Sequence, residues 1–323
     1  MDSQPESIEL NRLKFYPIMM FAIVMGMGGL TIAYQKAGEF LNFPKVIGHY
    51  MMYVALALFV VIAGIYVIKL FKYPKAVINE WNHPIRINFF SAVSISMLML
   101  AIITREEFSV LGASFWYVGT AIHMYMTLYT ISFWINHNQE IAHSNPAWFI
   151  PIVGNVLVPV GGIGLASDIV LMYFFSVGVF FWIIFLAILF NRIIFHHQLA
   201  QKFMPTMFIL LAPPAVAFIA YFKLFGVVDT FATFVYSIAV FFTFMLAFMF
   251  NRFLGLKYFI SWWAFIFPLA AMAIASMVMY HVTEDLFSMY LAYIMLIVTT
   301  LMTLTVLYQT IKHMMMHEIC IQE

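Results

Sequence analysis

Charged residues are scarce in this chain of 323 residues. They make up 9% of the sequence, whereas 65% is hydrophobic, and the mean hydropathy is +0.98. A soluble protein of this length and composition would expose a large apolar surface to water. The formal net charge of +1 also excludes a strongly basic nucleic-acid-binding protein. The composition therefore indicates an integral membrane protein that has no nucleic-acid partner.

Cysteine and the familiar catalytic motifs are also missing. Cys320 is the single cysteine, which excludes an intrachain disulfide. The sequence has no phosphate-binding loop, nucleophile triad or HExxH zinc motif. His313 and His317 have a spacing that suits a metal ion, but on a terminal segment this is weak evidence. We expect no enzyme activity, no cofactor and no metal.

Long apolar stretches account for most of the chain. About 20 apolar residues cross the hydrocarbon layer as a helix. Ten stretches of this kind lie at 15–34, 46–68, 86–103, 109–135, 148–165, 169–190, 204–222, 230–250, 258–280 and 285–311. The sequence predicts an all-α integral membrane protein with ten transmembrane helices. A tail at 1–14 precedes this membrane domain (15–311), and a tail at 312–323 follows it.

The positive charges are distributed unequally between the two sides. Eleven Lys and Arg residues fall on the side of the N-terminus and four on the opposite side. Because cytoplasmic loops carry the excess of Lys and Arg, both termini are predicted to be cytoplasmic. The expected location is the plasma membrane, which in a bacterium is the inner membrane.

Prolines within the apolar stretches occur only in odd-numbered stretches. A proline removes a backbone hydrogen bond and bends a helix, and in a bilayer the freed groups need protein or water around them. The prolines concerned are Pro17, Pro151, Pro159, Pro205, Pro213, Pro214 and Pro268. We predict five tandem helical hairpins, with five bent inner helices around a pore and five straight outer helices. The alternative is a ten-helix bundle with scattered prolines.

The middle of the predicted helices contains neither carboxylates nor Lys or Arg. A pore between the odd helices would therefore be neutral and lined by hydroxyls, amides, small residues and prolines. The candidates are Gly26, Ser91, Ser94, Asn155, Pro159, Thr206, Pro213, Pro214, Ser261 and Pro268. For each residue alone, close packing or a bond to its own backbone is an equally ordinary role. His123 in the fourth stretch is either a proton site or a neutral histidine bonded to a neighbouring helix.

Two further predictions concern the mouth and the middle of the pore. Arg86, Lys202 and Arg252 on the cytoplasmic side would concentrate anions at the inner mouth, unless they merely follow the topology rule. Pro268 ends an aromatic cluster that begins at Trp262. A bend there would direct Phe267 toward the axis, where an apolar ring blocks ions until it moves.

Several motifs resemble the tellurite-resistance/dicarboxylate transporter family, which includes the slow-type anion channels of plant guard cells. They are His83-Pro84-Ile85-Arg86 with Phe89-Phe90, Pro146-Ala147-Trp148-Phe149-Ile150-Pro151, Leu211-Ala212-Pro213-Pro214, and Trp263-Ala264-Phe265-Ile266-Phe267-Pro268. The resemblance implies a homotrimer with one pore per protomer and a phenylalanine plug at the position of Phe267. The inner helices of that family are bent by prolines. Val24 and Ser94 stand at two such positions here, which is a departure from the family pattern.

The expected function is that of an anion channel for small monovalent anions such as chloride and nitrate. They would pass through a neutral pore in each protomer, gated by Phe267. The alternative is a secondary transporter or exporter of dicarboxylates, tellurite or sulfite. The predicted partners are small inorganic or organic anions, the lipid bilayer and two further copies of the chain.

Overall fold

The computed structural model describes residues 12–321. Residues 1–11 and 322–323, and with them most of the predicted N-terminal tail, lie outside the described residues. Within residues 12–321 the regular structure is helical. The α-helices are α1 Phe21–Phe40, α2 Lys45–Lys72, α3 Pro74–Trp81, α4 Ser91–Thr104, α5 Ser109–Asn136, α6 Phe149–Val153, α7 Leu157–Gly162, α8 Asp168–Phe195, α9 Ala212–Phe225, α10 Thr230–Phe248, α11 Ile266–Thr283 and α12 Leu286–Met315.

Eight helical segments of the described chain are long and apolar enough to cross a membrane. They are Ile18–Phe40, Lys45–Lys72, Arg86–Thr104, Asp168–Phe195, Gln201–Phe225, Thr230–Phe248, Ile260–Thr283 and Leu286–Met315. The chain is thus a multi-pass, all-helical membrane protein. Two of the ten predicted helices differ from these eight. The helix α5 is 28 residues long, but its many Thr, Ser, Gly, Tyr and Trp residues lower its hydropathy. The stretch Pro146–Gly162 is divided into short helical pieces.

Burial separates the eight segments into two groups. Four segments begin at residues 18, 86, 201 and 260. In the most apolar 18 residues of each, 78–89% of the residues are buried. In the four that contain α2, α8, α10 and α12, the buried share is 22–39%. The first group corresponds to odd-numbered predicted helices and the second to even-numbered ones. Buried and exposed segments thus alternate along most of the chain.

Each buried segment begins as a 3-10 helix and continues as an α-helix. The 3-10 pieces Ile18–Met20, Arg86–Phe90, Gln201–Leu210 and Ile260–Phe265 run into α1, α4, α9 and α11. In the fifth predicted helix, Pro146–Trp148 and Gly154–Val156 precede α6 and α7. The long exposed helices are continuous α-helices instead.

Several prolines lie at these joints, whereas Pro205 lies within a 3-10 piece and Pro17 precedes one. Pro159, Pro214 and Pro268 are each the third residue of their α-helix. The first N–H groups of an α-helix have no partner within the helix, so a proline there removes no helical hydrogen bond. The same residue prevents the α-helix from extending backward, because its ring clashes with the preceding turn. Proline therefore fixes where the 3-10 piece changes into an α-helix.

Glycines of α1 allow its neighbours to approach closely. A Cβ added at Gly26 would lie 2.9 Å from Cε3 of Trp263, and one at Gly28 would lie 3.3 Å from Cβ of Met99. These positions pack α1 against the segment of α11 on one side and against α4 on the other. For Gly26 and Gly28 close packing, rather than space for a permeant, explains the glycine.

Polar contacts fix the ends of several helices. The Asp229 carboxylate accepts a hydrogen bond of 2.9 Å from the backbone N–H of Ala232 at the start of α10, and this bond lowers the pKa of Asp229. At the end of α2, the buried Lys69 ammonium donates to Glu80 of α3 and to the carbonyl of Tyr16, each at 2.7 Å. This ion pair joins α2, α3 and the start of the first buried segment.

Candidate functional site: a central apolar cavity

The central cavity lies among the buried segments, where their 3-10 pieces meet their α-helices. The cavity is small: the centres of water molecules could occupy about 70 Å³ of it. Each of the five odd-numbered predicted helices contributes to its wall. The lining residues are Ala22, Met25, Phe89, Ile95, Phe149, Ile150, Val153, Gly154, Leu157, Ile209, Ala212, Pro213, Val216, Trp263, Ala264, Phe267 and Pro268. These side chains are all apolar apart from the indole N–H of Trp263.

Phe267 is the second residue of α11 and lies in the wall of this cavity. Its side chain is half-buried. Pro268 follows it, and Pro213 of α9 lies in the same wall. Of the residues predicted to form the gate and the pore lining, the structure brings these three together at the cavity.

The predicted polar lining residues lie elsewhere. Ser94 donates to the carbonyl of Ser91 at 2.8 Å, and the amide nitrogen of Asn155 donates to Thr127 of α5 at 2.8 Å. Thr206 donates to the carbonyl of Phe203 at 2.6 Å, and Ser261 to that of Lys202 at 2.5 Å. None of these four side chains is in the cavity wall. Their hydrogen-bonding groups are used between helices or against their own backbone, because an apolar interior offers no water to bind them.

Four other predicted lining residues are also outside the wall. Gly26 packs against Trp263, as described above. Pro159 and Pro214 are buried at the helix joints. Ser91 is fully buried, and its hydroxyl has no hydrogen-bond partner among the described residues.

His123 lies on α5 and is fully buried. Its Nδ1 is 2.9 Å from the hydroxyl of Ser94 on α4. The structure thus has the contact that the second sequence interpretation predicted, a histidine hydrogen-bonded to a neighbouring helix. A Cβ added at Gly154 of the cavity wall would lie 2.6 Å from Cε1 of this ring.

A second, larger cavity lies at the end of the bundle where Arg12 and His317 are hydrogen-bonded to each other. On the same measure, its volume among the described residues is about 1030 Å³. We call it the basic vestibule. Its charged lining residues are Lys14, Lys69, Lys75, Arg86, Lys257, Glu80 and Glu318. Of the three basic residues predicted at the pore mouth, Arg86 lines the vestibule, whereas Lys202 and Arg252 do not.

Residues that line the two cavities lie close together in the sequence of the same segments. Met19, Ile260 and Trp262 line the basic vestibule, and Ala22 and Trp263 of the same segments line the central cavity. Cys320 also lines the vestibule. Burial raises the pKa of its thiol to about 11, against the smaller opposing effect of Arg12 and Lys69. Burial likewise raises the pKa of the nearby Tyr16 hydroxyl.

Sequence reasoning missed most of the cavity wall. Met25, Ile95, Val216 and Phe149 line it, but in the sequence they look like any other apolar residue of a membrane helix. The spacing of the glycines and prolines could have located the joints, and hence the depth of the cavity. The basic vestibule residues Lys14 and Lys75 were counted only as topology signals.

Comparisons with known proteins identify the family of this chain. A family model described as SLAC1, voltage-dependent anion channel, matches residues 16–311. The S-type anion channel SLAH3 of Arabidopsis thaliana is 29% identical over 306 residues, which are 92% of this chain and 48% of that protein. The guard cell S-type anion channel SLAC1 of the same plant is 25% identical over 92% of this chain and 56% of its own length. The chain thus spans about half the length of these plant relatives.

A bacterial relative matches over most of both chains. The tellurite resistance protein TehA homolog of Haemophilus influenzae is 26% identical over 82% of this chain and 81% of its own length. The resemblance inferred from the motifs is confirmed, and with it the expectation that the protein is not an enzyme. Because the family model matches residues 16–311, the chain belongs to the SLAC1 family of voltage-dependent anion channels.

Proposed function

We propose that this protein is an anion channel that passes small monovalent anions such as chloride and nitrate through the central cavity, with Phe267 as the gate. The observation that carries the proposal is the position of Phe267, whose ring lies in the wall of a narrow apolar cavity among five buried segments. The family match supports the anion class of the substrate.

The proposed architecture is five inner and five outer helices, with residues 15–311 as one membrane domain. The segments that contain α1, α4, α7, α9 and α11 would be the inner helices. The helix α5, at 28 residues, is long enough to serve as the fifth outer helix. We further propose a homotrimer in the plasma membrane, with one pore in each protomer and both termini in the cytoplasm. The contact between Arg12 and His317 supports placing both ends on one side.

A closed gate follows from the hydration of anions. An anion that enters an apolar constriction loses water ligands and gains no donors in return, so the constriction blocks ions by excluding water. With about 70 Å³ for water centres, the cavity has room for only a few water molecules. Movement of the Phe267 ring would widen it and allow the anion to keep part of its hydration shell.

The basic vestibule supplies the electrostatic part of the proposal. Lys14, Lys75, Arg86 and Lys257 raise the local concentration of anions at one mouth. An uncharged constriction then lets the anion leave as readily as it entered. Selection in such a pore depends mainly on size and on the cost of dehydration, which favours weakly hydrated anions such as nitrate.

The test is a current measurement in voltage-clamped oocytes or planar bilayers. Phe267→Ala should raise the anion conductance at least fivefold, because it removes the ring from the constriction. Phe244→Ala is the matched control, since the 55% exposed ring of Phe244 lies on the outer helix α10. Equal currents in the wild type and in Phe267→Ala, at equal surface expression, would contradict the gate. Reversal potentials under anion substitution then rank the permeant anions.

A second candidate function is secondary transport of dicarboxylates, tellurite or sulfite. The match to the tellurite resistance protein TehA homolog favours it. A carrier would show saturable uptake and a fixed stoichiometry with a coupling ion. A channel would show current that rises in proportion to the driving force. Flux measurements in proteoliposomes at increasing substrate concentration separate the two mechanisms.

A further inference from the structure

The ring of His123 has one nitrogen that is bonded and one that is not. Nδ1 lies 2.9 Å from the hydroxyl oxygen of Ser94, and that hydroxyl lies 2.8 Å from the carbonyl oxygen of Ser91. A carbonyl can only accept a hydrogen bond, so the Ser94 proton goes to Ser91 and Ser94 accepts from Nδ1–H. In a neutral ring, the proton on Nδ1 leaves Nε2 as a bare acceptor.

Nε2 has no hydrogen-bond partner among the described residues, and the side chain is 0% exposed. Buried polar atoms without a partner are costly and uncommon. Residues next to the ring include Ser94 from α4 and Gly154 from the Gly154–Val156 piece, with Ile95 beside them. None of the three is titratable, so no neighbouring charge among them satisfies Nε2.

The unpartnered nitrogen lies directly behind the wall of the central cavity. A Cβ built on Gly154 would lie 2.8 Å from Nε2 and 2.8 Å from Cδ1 of Ile95. Gly154 and Ile95 both line the cavity. The His123 ring thus packs directly against Gly154, and only Gly154 and the terminal methyl of Ile95 separate Nε2 from the cavity. A donor from the cavity reaches Nε2 only when the Ile95 side chain moves aside.

We propose that Nε2 of His123 is a binding site for a small O–H donor that reaches it from the central cavity past Gly154. The donor is a water molecule or the undissociated form of a small weak acid, such as a monocarboxylic acid. The site at Nε2 rests on the proposed function in one respect, which is that anions pass through the central cavity. The acid's hydroxyl donates to Nε2, and its remaining atoms occupy the cavity.

This site distinguishes two classes of anion. Chloride, nitrate and methanesulfonate are anions of strong acids and carry no O–H group to donate to Nε2. Formate acquires one when it is protonated. Formic acid held at Nε2 would obstruct the cavity, whereas methanesulfonate, which is larger but stays ionised, would not be held there.

The first experiment measures chloride current through Phe267→Ala at pH 5 and pH 7.5, with formate or methanesulfonate added. Formate should inhibit the current at pH 5 and have little effect at pH 7.5, and methanesulfonate should do neither. His123→Gln should raise the inhibitory formate concentration at pH 5 at least fivefold. His137→Gln is the matched control, because His137 is exposed just after the end of α5. If formate inhibits Phe267→Ala with His123→Gln as strongly as it inhibits Phe267→Ala alone, Nε2 is not a site for weak acids.

The second experiment needs neither current nor a variant at His123. The ¹⁵N NMR spectrum of histidine-labelled protein reports whether Nε2 is a free acceptor, a hydrogen-bonded acceptor or protonated, and the contact with the α protons of Gly154 assigns the signal. A hydrogen-bonded acceptor before formate is added identifies water as the donor. A signal that becomes hydrogen-bonded only with formate at pH 5 identifies the acid. A free acceptor in both conditions, or a proton on Nε2 and none on Nδ1, would overturn the proposal. If Phe267→Ala carries no chloride current, the anion-channel proposal fails and the NMR experiment still decides the site.

Discussion

Gly29 of α1 lies directly against the ring of Phe267 on α11. A Cβ added at Gly29 would lie 3.3 Å from Cδ2 of Phe267 and 3.3 Å from Cβ of Ala270. Both distances are shorter than ordinary van der Waals contacts between carbon atoms. The ring therefore has α1 behind it and the cavity in front of it, so its position depends on the absence of a side chain at residue 29.

Gly29→Ala should narrow the proposed pore. The added methyl group pushes the Phe267 ring away from α1 and toward the cavity, so we expect the conductance to fall severalfold. The measurement is single-channel current in planar bilayers. The same substitution in Phe267→Ala should have little effect, because the ring that transmits the displacement is gone. An equal loss of current in both backgrounds would mean that Gly29 acts on helix packing and not on the ring.

The helical layout was predictable because proline has a local effect that does not depend on the rest of the fold. Pro159, Pro214 and Pro268 oppose a full α-helical turn before them wherever they stand, and each is the third residue of the α-helical part of a buried segment. The alternation of buried and exposed segments follows from the same positions. Val24 and Ser94 lack this constraint, yet α1 and α4 also begin with a 3-10 piece, so packing alone suffices there.

The cavity wall was much less predictable. A serine or asparagine on an inner helix has several possible partners, and the sequence does not indicate which helix supplies them. Ser94 and Asn155 both bond toward α5, away from the cavity. The direction of each side chain depends on the rotation of its helix, and helices that are hydrophobic on all faces give no periodic signal of that rotation. Phe267 could be placed because the bend at Pro268 and the family resemblance both point to it.

Charge neutralisation in the basic vestibule should lower the anion current. Arg86 and Lys257 both line it, so Arg86→Gln and Lys257→Gln should each reduce the conductance about twofold at low ionic strength. The loss should diminish as salt rises, because the screening length falls to about 8 Å at physiological ionic strength. Lys202→Gln and Arg252→Gln are the matched controls, since neither residue lines the vestibule. A salt-independent loss in all four variants would argue against electrostatic attraction of the anion.

Gly178 and Gly64 offer a matched comparison of two outer helices. A Cβ at Gly178 of α8 would lie 2.3 Å from Cγ2 of Val156, whereas one at Gly64 of α2 would have no neighbour within 4 Å. Gly178→Ala should destabilise the protein by about 1–3 kcal/mol through overpacking. Gly64→Ala should be neutral or stabilise it by about 0.5–1 kcal/mol, because alanine favours the helix. Thermal unfolding in detergent compares the two variants. A stable Gly178→Ala variant would show that the Gly154–Val156 piece yields easily.

Replacing only one partner of the ion pair between Lys69 and Glu80 should lower the stability of the protein strongly. Both side chains are nearly fully buried, and the hydroxyl of Tyr66 also donates to the Glu80 carboxylate at 2.9 Å. Glu80→Leu leaves the Lys69 ammonium with only the carbonyl of Tyr16 and the face of the Tyr66 ring, and with no carboxylate, so we expect a loss of about 3–5 kcal/mol. The double variant Lys69→Met/Glu80→Leu should recover most of it, since no charge is then buried. Thermal unfolding of the three proteins gives the coupling. A double variant as unstable as Glu80→Leu would mean that the polar contacts to Tyr16 and Tyr66 matter more than the charges.

The thiol of Cys320 should react slowly at neutral pH while the C-terminal segment remains folded against the vestibule. Burial raises its pKa from the ordinary value of 9.0 to about 11. The thiolate is the reactive form, so alkylation by iodoacetamide at pH 8 should be roughly 100-fold slower than for a small thiol. Raising the pH should increase the rate about tenfold per unit up to about pH 11, because each unit multiplies the thiolate fraction by ten. The rate is measured by mass spectrometry of the single cysteine. Fast alkylation at pH 8 in folded protein would mean that residues near 320 leave the vestibule in solution, whereas fast alkylation only after denaturation would agree with the buried position.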